Sequence, residues 1–305
     1  MKKLNAIVAF LLLLVGATEV YAGGPWPKKK GSGYVQLGVY VIPPTNALFN
    51  NNFETRLLNR AVIDGTAQIY GEYGVLDKLT LSTSLPFKLV VAGEVIKPED
   101  STAVQPPSQI LDSGTLFGLG NYELGAKYNF FNKSGFLVSG FVNFSMPTGV
   151  PLKSAKVQNT GLRTAHPTWG FMPGISIGYG ADKLYTYLDV GANIRTHGYS
   201  HEIMANFEFG YKIWKLYLAV AIHARFALNK GLDIPETALD QTIHTGMYIN
   251  NQNYLAWTAK VIIPFNDNFG ANLSFSGAFM GENVQQSPSI GLGIYYQWDK
   301  KEKES

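Results

Sequence analysis

The sequence has no cysteine among its 305 residues, and charged residues make up only 15% of it. The missing cysteine excludes a disulfide framework, Cys-liganded metal sites and anchoring through a lipid-modified cysteine. The charged fraction is well below the ~25% of an average domain. A formal net charge of +3 does not point to a nucleic-acid partner.

The first 22 residues have the layout of a secretory signal peptide cleaved after Ala22. Lys2 and Lys3 form a basic start, Ala6 to Val15 an apolar centre, and Val20 to Ala22 a small-x-small exit. An uncleaved anchor is the alternative, but this apolar run is short for a span of about 20 residues. No apolar run of about 18 residues follows, so a closed β-barrel is the remaining way to cross a membrane.

What the chain does contain is apolar and polar residues in alternation, as in GLGNYELGAKYNF from Gly118 to Phe130. Segments of about 10 to 14 residues with this pattern match the length of a tilted membrane strand. They predict an all-β, twelve-stranded antiparallel transmembrane β-barrel, an up-and-down meander, over residues 33–298. The predicted strands are Gly33–Ile42, Ala61–Gly74, Lys78–Val90, Phe117–Phe130, Gly135–Ser145, Trp169–Tyr179, Lys183–Thr196, Glu202–Lys212, Lys215–Leu228, Met247–Pro264, Asn268–Met280 and Ser289–Trp298.

The predicted connections alternate between tight turns and longer loops, which is typical of outer-membrane barrels with short periplasmic turns. The four long loops are Pro43–Arg60, Val91–Leu116, Met146–Thr168 and Asn229–Gly246. An even strand count then predicts that both termini are periplasmic in a Gram-negative bacterium. Outer-membrane lipid, lipopolysaccharide and the barrel-assembly machinery are the expected partners. Residues 23–32 are predicted as a short periplasmic lead, with a plug as the alternative, and residues 299–305 as a charged tail.

The position of the aromatic residues separates a barrel from a soluble β-sandwich, which could show the same alternation. Eight rings share the apolar face and lie beside short turns or near the C-terminus, as expected for an aromatic girdle at one membrane interface. They are Tyr73, Tyr128, Phe130, Tyr179, Tyr211, Phe265, Tyr296 and Trp298.

The opposite face predicts the residues that line the lumen. Ionic side chains there either set the ion preference of an open pore or pair with each other and fill it. The sequence leaves both alternatives open, because a twelve-stranded barrel is intermediate in size between filled eight-stranded barrels and open sixteen-stranded porins. The candidates are Asp64, Glu72, Lys78, Lys88, Glu123, Lys127, Asp189, Arg195, Glu208, Lys212, His223, Arg225 and Lys260. No cofactor or metal site is expected.

Two stretches resemble the MetA-pathway of phenol degradation family of outer-membrane channels. Gly118, Gly120, Gly125, Lys127 and Tyr128 match a Gly-x-Gly-Asp motif followed by Gly-x-Lys-Tyr, although Asn121 replaces the usual Asp. The hairpin YGVLDKLTLSTSLPFKL is similar to the preceding part of the family pattern. The resemblance implies a transport barrel linked to uptake of apolar or aromatic compounds.

The sequence therefore predicts a passive channel for a small solute. An outer-membrane lipase or deacylase is one alternative, which would need a serine beside a histidine at the membrane face. A structural surface barrel is the other.

Overall fold

The computed structural model describes residues 24–49, 54–94, 112–151, 160–231 and 248–299. The predicted signal peptide, most of the second and fourth long loops and most of the charged tail lie outside these residues. In chain order the strands are β1 Gly33–Phe49, β2 Thr55–Leu76, β3 Leu79–Ala92, β4 Gly114–Leu119, β5 Tyr122–Lys133, β6 Phe136–Met146, β7 Gly170–Gly180, β8 Leu184–Arg195, β9 Glu202–Ile213, β10 Leu216–Ala227, β11 Asn253–Pro264, β12 Phe269–Glu282, β13 Val284–Gln285 and β14 Ser289–Trp298.

The strands close into an antiparallel barrel with twelve positions around the ring. Each long strand pairs with its neighbour in sequence, and β1 pairs with both β2 and β14, so the first and last strands join. The fourth position is shared, because β4 pairs with one part of β3 and β5 with another. The two-residue β13 adds to the far end of β1. The predicted twelve-stranded meander is confirmed.

Three details of the predicted strands are wrong. The fourth predicted strand, Phe117–Phe130, is interrupted at Gly120 and Asn121, between β4 and β5. The loop predicted over Pro43–Arg60 is mostly strand, since β1 and β2 stay paired as far as Phe49 and Thr55. Register shifts between Ile42 and Ala47 accommodate the prolines, which cannot donate to the ladder. The tenth predicted strand begins later than Met247, at Asn253.

The wall has an apolar outer face and an inner face that carries ionic side chains among buried apolar ones. In β10, Leu218, Val220 and Phe226 point outward and are exposed, whereas Tyr217 and Ala219 point inward and are buried. Of the predicted girdle rings, six are exposed, namely Tyr73, Tyr128, Phe130, Tyr211, Phe265 and Tyr296. Such a belt suits lipid rather than water, because isolated monomers rarely expose large apolar patches. Among the described residues, no helix is long and apolar enough to span a membrane.

We call the end with the tight turns the short-turn end and the other the long-loop end. Five turns define the first, and none has more than four residues between its strands. Ser134 and Trp214 adopt positive φ angles of 53° and 62° in two of these turns, which lets the chain reverse tightly.

Candidate functional site

The barrel interior contains four adjoining cavities among the described residues. The outer cavity, of about 320 Å³, is lined by Lys88, Glu123, His166, Arg195 and Arg225 among others. It shares His166, Arg225 and Tyr248 with the wide cavity of about 500 Å³. A series of connected spaces, lined by ionic and apolar side chains, therefore begins near the long-loop end.

The two remaining cavities continue the series toward the short-turn end. The tyrosine cavity, of about 300 Å³, is lined by Tyr34, Tyr70, Tyr295, Glu208 and Lys260 among others. It shares His223, Thr258 and Ser276 with the wide cavity. The small cavity, of about 160 Å³, contains Glu72, Lys127 and Asp189.

Arg195 is held rigidly at the long-loop end. Its Nη2 atom lies 2.9 Å from Oε1 of Glu202 and donates a 2.7 Å hydrogen bond to Ser200 Oγ. Its Nε atom donates to the backbone oxygen of Ser200 at 2.7 Å. Its Nε and Nη2 donors are thus engaged by Glu202 and Ser200, which fixes the guanidinium while its charge faces the cavity.

Lys88 and Asp64 form a second ion pair nearby. The Lys88 ammonium donates to both carboxylate oxygens of Asp64, at 2.8 and 3.0 Å. Arg225 is less tightly bound, since its Nη1 atom lies 3.7 Å from Glu202. Its guanidinium carbon is 5.4 Å from the ring centre of Tyr254, within the range of a cation–π contact.

His223 and Lys260 occupy the middle of the lumen. The two ring nitrogens of His223 contact Asn206 Oδ1 at 3.0 Å and Thr258 Oγ1 at 3.1 Å. Lys260 lies 2.9 Å from Oε2 of Glu208.

Glu208 also links the middle of the lumen to a group of inward tyrosines. Its Oε1 atom accepts a 2.7 Å hydrogen bond from the hydroxyl of Tyr185. Tyr185 belongs to a buried cluster with Tyr34, Tyr217 and Tyr295, which fills the lumen toward the short-turn end. The rings narrow the passage, and the hydroxyls of Tyr34 and Tyr185 donate hydrogen bonds to Gln36 and Glu208.

Residues 24–32, which we call the inner segment, lie against inward side chains at the short-turn end. Trp26 meets Tyr185 and Tyr187 edge to face, with ring centres 5.9 and 6.0 Å away. Ser139 Oγ donates a 2.7 Å hydrogen bond to the Pro25 oxygen. The inner segment therefore contacts side chains that point into the lumen from β6 and β8.

Glu72 holds the charged part of the inner segment. Its carboxylate lies 3.6 Å from Lys28 and 3.9 Å from Lys127, and it accepts a 2.7 Å hydrogen bond from Tyr70. Lys127 also donates to the backbone oxygen of Gly24. Two sequence-predicted lumen residues thus meet the inner segment.

The other sequence-predicted residues are less central. Asp189 accepts a hydrogen bond from Ser176 Oγ and lines the small cavity. Lys78 is exposed in the turn between β2 and β3. Lys212 lies one residue before the end of β9, with its ammonium 5.5 Å from the ring centre of Tyr217. Neither of these two lysines is among the cavity-lining residues described here.

The last part of the predicted loop Met146–Thr168 also enters the barrel at the long-loop end. Residues 160–168, the folded loop, include buried Leu162, Arg163 and Thr164. Val150 donates its backbone N–H to Thr164 Oγ1 at 2.7 Å, and Asn121 Nδ2 donates to the His166 oxygen at 2.8 Å. Asn121 is the motif residue where the resembled family carries Asp, and here its amide anchors the loop.

His166 is the titratable group of the folded loop. Its ring lies edge to face with Tyr199 and Tyr248, with centres 5.3 and 5.4 Å apart. Burial, and then the nearby charges of Arg195, Arg163 and Arg225, hold the pKa of His166 well below its ordinary value of 6.5. The imidazole is therefore neutral where it separates the outer and wide cavities.

Glu202 is a lumen residue that the sequence reasoning missed. It is fully buried and is the acid that binds both Arg195 and Arg225. It lies at the first position of β9 and has the same parity as Glu208, which was predicted. That shared parity was the signal that could have identified it.

The fold is similar to that of a solved outer-membrane channel. No protein-family model and no curated protein sequence matches this chain. The crystal structure of an outer membrane channel from Pseudomonas putida F1 aligns with a TM-score of 0.68 at 15% identity, covering 92% of this chain and 100% of that one. The KdgM porin in complex with disordered oligogalacturonate aligns with a TM-score of 0.47 at 6% identity, covering 87% and 99%. The first similarity supports the same fold for this chain.

Proposed function

We propose that this protein is an outer-membrane channel through which small solutes diffuse passively. The carrying observation is a series of four adjoining cavities, lined by ionic as well as apolar side chains, inside a barrel whose outer face is apolar. Lipid would surround the belt, with lipopolysaccharide in the outer leaflet, and the barrel-assembly machinery would insert the chain. No reaction step is needed for this function.

The inner segment supports a narrow passage rather than a wide one. It places Trp26 among the lumen tyrosines and is tied to the wall by Ser139 and Glu72. Selection would therefore take place in the outer and wide cavities, before the constriction. Fixed charges and aromatic rings lining a pore are the usual determinants of such selection.

The geometry offers less support for the lipase or deacylase alternative. That chemistry needs a serine within hydrogen-bond reach of a histidine. Ser200 Oγ instead contacts Asn250 Oδ1 at 3.1 Å, and His201 Nδ1 accepts the backbone N–H of Arg195 at 3.1 Å.

Planar-bilayer recording of the refolded mature chain tests the proposal. We expect discrete current steps that scale with salt concentration and are absent from bilayers exposed to buffer and detergent alone. A silent bilayer in which the protein hydrolyses lipid would favour the enzyme. A silent bilayer without hydrolysis would favour the structural barrel.

A further inference from the structure

Two ionic groups of opposite sign face the outer cavity without binding each other. Glu123 and Arg225 both line it and are close enough to interact electrostatically. In the described part of the chain, no hydrogen bond or salt bridge joins them. They are therefore available to a third, charged partner.

Among the described residues, Glu123 has no ionic partner, unlike the other acids in and around the outer and wide cavities. Asp64 is paired with Lys88, and Glu202 with Arg195. The Glu123 carboxylate makes no hydrogen bond or salt bridge to the residues described, and its side chain is exposed on the lumen face of β5. A carboxylate in this position attracts a cation that enters the cavity.

Arg225 retains positive charge that its surroundings do not neutralise. Its nearest acid, Glu202, lies 2.9 Å from Arg195 but 3.7 Å from Arg225, so one carboxylate serves two guanidinium groups. The Nε atom of Arg225 is buried and has no hydrogen-bond partner among the described residues. A buried donor without a partner gains more from a ligand acceptor than an exposed donor does.

The two groups lie on nearly opposite walls. Glu123 is on β5, at the fourth of twelve positions in the ring, and Arg225 on β10, at the ninth. Five strand intervals out of twelve is close to half the circumference. The negative and positive groups therefore create an electric field across the lumen rather than along it.

We propose that the outer cavity selects small zwitterions that carry a carboxylate and an ammonium group; this proposal rests on the channel function. The carboxylate of such a solute binds Arg225, and its ammonium group faces Glu123. A simple anion gains one of these contacts and is repelled by the other wall, and the same holds for a simple cation. Only a dipolar solute gains from both walls, and the combined outer and wide cavities have the size of a small-molecule site.

The outer cavity also has apolar surface for the carbon skeleton of the solute. His166 is neutral, and its ring and that of Tyr248 lie at the boundary between the outer and wide cavities. Met172 and Phe144 line the outer cavity as well. A zwitterion with a short alkyl or aromatic side chain would bury that side chain here.

Interruption of ion current by three solutes of similar size tests this proposal on the full mature chain. Norvaline is the zwitterion, valerate the anion and pentylammonium the cation, each added from the long-loop side. We expect norvaline to interrupt the current at a concentration about fivefold lower than the other two. In Glu123→Gln, valerate should interrupt the current at the same concentration as norvaline. In Arg225→Gln, pentylammonium should interrupt it at the same concentration as norvaline. Glu94→Gln and Lys133→Gln, at exposed positions outside the cavities, should leave the order unchanged.

The outcomes distinguish this proposal from the channel itself. A chain that conducts ions but is interrupted equally by the three solutes overturns the zwitterion site and leaves the channel intact. A conducting chain that valerate interrupts at a lower concentration than norvaline would have a simple anion site, and this result would also overturn the zwitterion site. A chain that never conducts overturns the channel function on which the proposal rests.

Discussion

Ser139 on β6 donates a 2.7 Å hydrogen bond to the backbone oxygen of Pro25, which lies 114 positions earlier in the chain. The bond fixes the inner segment to the barrel wall from the lumen side. Both partners are buried, so water does not compete for this bond, and a lost partner would leave a polar group unsatisfied.

Removal of residues 24–30 should increase ion conductance. The deletion takes Trp26 out of the lumen but keeps Gly31, whose N–H donates to the Gly74 oxygen at 2.7 Å. We expect a single-channel conductance at least about twofold higher in planar bilayers. Lys29→Ala, which changes an exposed side chain of the same segment, is the matched control. Equal conductance in the deleted and full-length chains would show that the inner segment does not restrict the pore.

Loss of Lys260 should destabilise the barrel. Lys260→Met leaves Glu208 with tyrosine hydroxyls but no cation, and this carboxylate is buried. Because Lys260 is partly exposed, we expect a decrease of about 1–3 kcal/mol in the free energy of unfolding. Urea unfolding in lipid vesicles measures this free energy. Lys183→Met, which changes an exposed side chain in a turn, is the control. An unchanged midpoint would mean that the ion pair contributes no net stability.

The folded loop should loosen as the pH falls. His166 has a pKa below 6.5 when folded, so the opened loop binds more protons and the folded position loses stability as the pH drops below 6.5. The protonated ring would face Arg163, Arg195 and Arg225, with the rings of Tyr199 and Tyr248 beside it. Hydrogen exchange of residues 160–168 should rise by up to about tenfold per pH unit below that value, after correction for intrinsic exchange.

His166→Phe is the informative variant for the pH effect, since it keeps a ring between the two tyrosines but cannot bind a proton. The corrected exchange of its folded loop should be independent of pH. His197→Gln, at an exposed position, should retain the wild-type response. A pH response that persists in His166→Phe would assign the effect to another group.

Closure of the barrel depends on a small residue opposite the last tryptophan. Gly33 pairs with Trp298, whose ring lies where a Cβ atom at position 33 would be placed. Gly33→Val should therefore displace the ring and weaken the β1–β14 seam, at a cost of about 1–3 kcal/mol. Gly65→Ala, where the nearest atom to an added Cβ is 3.5 Å away, is the control. The unfolding midpoints of the two variants are compared with that of the wild type. A Gly33→Val midpoint equal to that of Gly65→Ala would contradict this role for the seam.

The sequence predicted the wall better than the contents of the lumen. Alternation assigns each residue to a face because the side-chain period of a strand is two, so Leu218 and Glu208 were predicted to lie on opposite faces. The break between β4 and β5 was not visible, because Gly120 and Asn121 fit the same alternation. Contacts between residues far apart in the chain, such as Pro25 and Ser139, leave no pattern in the local sequence. The inner segment also lacks the alternation of apolar and polar residues from which a face could be predicted.

The most direct test of a lipid-facing belt around an aqueous lumen uses the absence of cysteine from the chain. Single-cysteine variants at Ser276, in the wide cavity, and at Leu218, on the outer face, are treated in lipid vesicles with a charged, membrane-impermeant thiol reagent. We expect rapid modification of Ser276→Cys and protection of Leu218→Cys, with a fluorophore at position 218 quenched by nitroxide lipids. Modification of Leu218→Cys together with protection of Ser276→Cys would contradict the account.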